Sequence, residues 1–222
     1  MGNRAGDPGL YRQRIEELLA DEHAVERVER YLDPREPFAA FSFDTAGENP
    51  HNELTNDDVL ALNFLSAPIG PMTYRCLMEL RPRIASCLHK LSPQLHLWQL
   101  QSQAYEDANA LWKLLMDVRN IGHVRASKLM ARKRPNLMPI LDKNVSAFFD
   151  GRTSSFWEPL GKTLQDAELR ARIEIRLRPP GVDTSELSLL RILDIAIWMT
   201  VQERGVGRVE VPAELDEPET PV

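Results

Sequence analysis

The run LSLLRILDIAIWMTVQE, residues 187–203, is the strongest constraint on how this chain folds. Wound as a helix it presents apolar side chains on most sides, so it belongs at the centre of a helical assembly rather than on a surface. The expectation is a helix from Glu186 to about Glu203, capped by Asp183 or Ser185 after the stop Arg178-Pro-Pro-Gly181. No stretch of the chain reaches the roughly 18 consecutive apolar residues that read as a membrane span.

A central helix needs a shell, and apolar residues at helical spacing provide it. Within 10–32, Ile15, Leu18, Leu19, Val25 and Val28 outline one amphipathic helix with a break near Asp21. Thr55 and Asp58 are spaced as a capping box that opens a helix through Leu60, Leu62, Phe64 and Leu65. Further helical patterns cover 72–80, 82–91, 101–118, 143–149, 155–164 and 167–177. Phe38, Phe41 and Phe43 lie between proline-rich flanks and indicate a short irregular or β-like insert near 37–52, with phenylalanines plugging the core. The fold class is therefore all-α. A loose leader spans 1–9, and a helical domain, as one unit or two packed subdomains, spans 10–208. The tail over 209–222 has five acids, three prolines and no base, and is expected to be disordered.

A formal net charge of −6 argues against indiscriminate binding to nucleic acid. The distribution says more. From Arg119 to Lys143, seven basic residues stand against the single acid Asp142, a local +6 that leaves −12 for the rest of the chain. The segment begins with a turn, Asn120-Ile121-Gly122, in which Gly122 takes positive φ freely and Asn120 is the next most tolerant residue. The helix that follows starts with exposed backbone N–H groups, a phosphate-sized anion site at which His123 also sits. Arg125, Lys128 and Arg132 recur at spacings of three and four, a row that adds contacts to a DNA backbone, while Ala126, Leu129 and Met130 face the packing side.

Residues 119–145 resemble the helix–hairpin–helix motif of the DNA glycosylase superfamily that includes endonuclease III-like and alkyladenine-type enzymes. In that family a hydrophobic-Gly-hydrophobic-Gly hairpin precedes a helix with a small-residue pair, and a later aspartate is catalytic. Here Asn120-Ile121-Gly122 takes the hairpin place within a motif at about 105–134, Ala126-Ser127 the small pair, and Leu141-Asp142-Lys143-Asn144-Val145 the aspartate segment. The place of the Schiff-base lysine falls on Val124, 18 residues before Asp142, so the resemblance implies monofunctional base removal without lyase chemistry. The first hairpin glycine is replaced by Asn120, and no cysteine follows Cys87 to hold the iron–sulfur cluster of some members. The combination LTNDDVLALNFLS, IGHVRASKLMARKRPNLMPILD and LSLLRILDIAIWM also resembles an actinobacterial family of unknown function, over most of the chain.

In N-glycoside cleavage a carboxylate near C1′ stabilises an oxocarbenium-like sugar and positions or deprotonates water. Asp142 is the candidate for that role. It also stands ahead of KNVSAFF as a well-placed N-cap, and the two roles are compatible. The alternatives are a non-catalytic nucleic-acid-binding module and a protein–protein adaptor with a basic face. His89, His96 and Cys87 make no metal-ligand set, and no cofactor is implied. The start MGNRAGDPGLYRQR lacks the apolar centre of a secretory signal and two cysteines make no disulfide framework, so a cytoplasmic protein is expected.

Overall fold

Asp7 caps the first helix of the described residues. In a computed structural model, which describes residues 7–151 and 156–205, its carboxylate accepts the Gly9 N–H and Pro8 takes the first helical position, where a missing N–H costs nothing. Helix α1 (Pro8–Ala20) therefore starts inside the expected leader. Residues 1–6 and the acidic tail over 209–222 lie outside the described residues. The break at Asp21 is present: its carboxylate takes the His23 N–H and an Arg27 N–H, and the chain restarts as α2 (Ala24–Leu32).

The segment expected to be irregular or β-like holds a short helix, α3 (Ser42–Thr45), set among turns, and the described residues contain no strand. A single strand without a partner leaves its backbone groups unpaired, and none is offered here. Phe43 is buried as a plug, and Phe38 stacks on Tyr31 and meets Trp198 edge-on. Helix α4 (Asn56–Phe64) opens with the reciprocal Thr55–Asp58 capping box. The two helices expected over 72–80 and 82–91 are one, α5 (Pro71–Leu88), which runs through Pro82. Pro82 is exposed, so the carbonyl it leaves without a donor lies towards water.

After a 3-10 turn (Leu97–Gln99) come α6 (Ser102–Met116), α7 (His123–Lys133), α8 (Lys143–Phe148), α9 (Trp157–Thr163), α10 (Ala167–Leu177) and α11 (Leu189–Glu203). Helix α11 is the buried helix its sequence demands, packed by α2, α8 and α10. Its cap is Ser188, whose Oγ accepts the Arg191 N–H, rather than Asp183 or Ser185. One hydrophobic cluster extends from Tyr11, stacked on Phe149 at 4.1 Å, to Met199. Among the described residues no helix is long and apolar enough to cross a membrane.

Candidate nucleic-acid interface

Helices α6 and α7 pack against each other across the turn between them, and the turn works differently from expectation. Asn120 holds the left-handed conformation, at φ 62°, while Gly122 is extended at φ −93° and ψ −176°. Asparagine tolerates that region because its short side chain bonds locally. A side chain built on Gly122 would meet nothing within 4 Å, so the fold does not require glycine there. Ile121 is buried beneath the turn, and Thr73 of α5 donates to the Arg119 carbonyl. No side chain caps α7, and the exposed His123 ring lies 5.5 Å from Trp112.

The row of cations points inward, which corrects the expected phosphate-facing stripe. Lys128 is 5% exposed and donates to the carbonyl of Leu65, the residue that ends α4. Arg132 is 3% exposed; it donates to the carbonyls of Phe43 and Ala46 at the end of α3 and lies 3.4 Å from Asp58. Lys133 meets Asp58 at 2.8 Å and the Asn49 side chain at 2.7 Å. Arg134 is fully buried and donates to the carbonyls of Leu88, the last residue of α5, and of Leu91 just after it, and to Asn52.

These cations act as caps for three other helices. The last carbonyls of a helix lack intrahelical donors and carry its negative dipole end, so a buried cation finds compensation there without a full counter-charge. Burial lowers the Lys133 pKa, and brings Arg134 down to about 10, still charged at neutral pH. The three-and-four spacing of Arg125, Lys128 and Arg132 does not say which way they face, and Ala126 to Lys133 is buried throughout. Arg125 is half-buried and donates to the carbonyls of Pro68 and Asn120, bracing the hairpin against the loop after α4. Arg119 and Lys143 are exposed.

Ser127 explains the small pair. Its hydroxyl donates to the Leu141 carbonyl and accepts the Leu141 N–H, which pins the aspartate segment to α7 one turn from the hairpin. Asp142 then caps α8, with Oδ1 accepting the N–H groups of Asn144 and Val145 at 2.9 and 3.0 Å. Its Oδ2 has no partner among the described residues, and the side chain is half-buried. Asp142 lines neither the cleft of about 540 Å³ beside Trp98 nor the small pocket beside Asp194.

Behind Asp142 lies a polar cluster that the sequence reading missed. Arg191 of α11 pairs with Asp44 at 3.1 Å and Asp194 at 2.5 Å, and donates to the Tyr31 hydroxyl. The second oxygen of Asp194 is buried with no partner, as are both amide atoms of the wholly buried Asn144 on α8. Burial, reinforced by the Asp142 charge and opposed by Arg191 and Lys128, pushes Asp194 up to about 7. The available signal was an Arg and an Asp three apart inside LLRILDIAIWM, where charges are buried if the helix is.

A protein-family model described as a family of unknown function (DUF6308) matches residues 24–201. No curated protein and no solved structure matches the chain.

Proposed function

The chain belongs to that family of unknown function, and we propose that it is a helix–hairpin–helix DNA-binding protein. The observation that carries this reading is the open start of α7. Left-handed Asn120 turns the chain, Gly122 leaves free space, and the first backbone N–H groups of the helix have no side-chain cap. Such a helix start attracts phosphate through its N–H groups and its dipole. His123 and Arg119 are exposed beside it. Lys128 and Arg132 enter the reading as supports that fix α7, and not as contacts.

The finer reading is monofunctional base excision through Asp142. The bond from the base nitrogen to C1′ breaks, its electron pair leaves with the base, and a water oxygen adds to C1′. A carboxylate beside C1′ stabilises the cationic sugar and takes the proton of that water. The free Oδ2 of Asp142 and the Ser127 pin that holds it near the hairpin support this chemistry. Val124 brings no amine for a Schiff base. A second reading, a binding module without catalysis, is favoured by the position of Asp142 outside both cavities.

Duplex binding at low salt, followed by fluorescence anisotropy, tests the first reading. In Gly122→Asp the new carboxylate caps the N–H groups itself, so stability should rise by a few tenths of a kcal/mol. Affinity should fall by about tenfold or more as a negative charge replaces the phosphate. Equal affinity in the two proteins, or none in either, overturns DNA binding at the hairpin and leaves the protein adaptor. On duplexes carrying damaged bases, Asp142→Asn should abolish the formation of abasic sites. If the wild-type chain forms none on any lesion, the binding module stands alone.

A further inference from the structure

A cleft of about 540 Å³ opens beside Pro135 and Asn136, at the far end of α7 from the hairpin. The helix has 11 residues, which separates the two places by roughly 16 Å. The volume falls within the range of small-ligand sites. Trp98 forms one wall, with the His96 ring stacked on it at 4.4 Å and 20°. The Arg170 guanidinium sits 4.7 Å from the Trp98 ring centre. Burial, and after it the Arg170 charge, lowers the His96 pKa, so the stacked ring is neutral at pH 7.

The charges around the cleft sort into used and available groups. Arg178 and Glu174 pair with each other, and Arg178 also donates to the carbonyls of Thr184 and Leu187. Arg170 donates through Nη1 to the carbonyls of Leu164 and Gln165, which end α9. Its Nε and Nη2 edge has no partner, and no carboxylate pairs with it among the described residues. At the same cleft stand the Asn136 amide and the exposed Glu186 carboxylate, neither of which has a side-chain hydrogen bond among the described residues.

A ligand that satisfies this set needs an oxyanion, a planar ring and a polar ring edge. We propose that the cleft binds a nucleoside phosphate, with the phosphate on Arg170, the base along the Trp98–His96 wall, and its edge met by Asn136 and Glu186. A guanidinium edge matches two phosphate oxygens at once. Bases stack on aromatic side chains whatever their identity, while amide and carboxylate groups discriminate their edges. The site stands apart from Asp142 and does not depend on duplex binding at the hairpin. Its ligand arrives either as a free nucleotide or as one unit of a single strand.

Calorimetric titration of the full chain tests this with the four deoxynucleoside monophosphates, the matching nucleosides, and a short single strand. At least one monophosphate should bind about tenfold more tightly than its nucleoside. Arg170→Gln should erase that difference, and Trp98→Leu should weaken both ligands. A strand that binds more tightly than its monomer identifies strand as the source; equal or weaker binding identifies the free nucleotide. Should Arg170→Gln fail to fold through loss of its bonds to α9, Arg170→Lys keeps the charge without the fork and should lose part of the phosphate preference. The proposal is overturned if no monophosphate binds at about 1 mM, the weak end of measurable affinity, or if the phosphate makes no difference. Because the readout is a nucleotide and not a duplex, either reading can fail while the other stands.

Discussion

Asp194 has a thermodynamic signature that one carboxylate is enough to produce. In the folded chain it keeps its proton up to about pH 7, whereas the ordinary value is 3.8. Between those values the unfolded chain binds fewer protons, so this residue makes stability fall as pH rises from about 4 to about 7, and level off above. Asp194→Asn removes the titration, and denaturant unfolding across that range should show a flatter profile than wild type. An unchanged slope would place the proton elsewhere. The neighbouring residues show how far single positions are legible in sequence. Asp142 as a cap and the Thr55–Asp58 box follow from residue type and spacing alone, since capping is local. The exchange of roles between Asn120 and Gly122 does not, because both residue types tolerate positive φ.

At the scale of elements, α7 ties the molecule together through its own charges. Lys128, Arg132 and Arg134 end α4, α3 and α5 in turn. Replacing Arg134 with Met keeps an apolar stem but leaves the Leu91 carbonyl without a donor in a dry interior, and leaves the Leu88 carbonyl only the Leu91 N–H. Loss of about 3 kcal/mol or more is expected in chemical denaturation. A loss below about 1 kcal/mol would mean that water reaches those carbonyls. Whereas α7 was read from the turn before it, periodicity was enough to find α6 and α10 and to mark α11 as buried. It cannot distinguish a cationic stripe facing solvent from one facing helix ends, because the partners lie as much as 89 residues away in sequence. Nor did it join the two halves of α5, where Pro82 reads locally as a stop but sits on an exposed face that tolerates the lost bond.

For the molecule as a whole, the placement of charge bounds the salt dependence of the proposed duplex binding. Of the seven cations between Arg119 and Lys143, four (Lys128, Arg132, Lys133 and Arg134) are buried, which leaves Arg119, Arg125 and Lys143 towards the surface. The logarithm of duplex affinity against that of salt should therefore have a slope no steeper than about −3, at about −0.9 per phosphate neutralised, where seven contacts would give about −6. A steeper slope would require cations from outside the hairpin. The inward cations also impose an order on assembly. Phe43, Ala46, Leu65, Leu88 and Leu91 all precede α7 in the chain, so these acceptors for its buried charges have been synthesised before those charges emerge. Until α3, α4 and α5 present their ends, burying Lys128, Arg132 and Arg134 is uphill. Helix α7 is thus built to dock late, and slow translation through residues 123–134 would give its receptors time to form first.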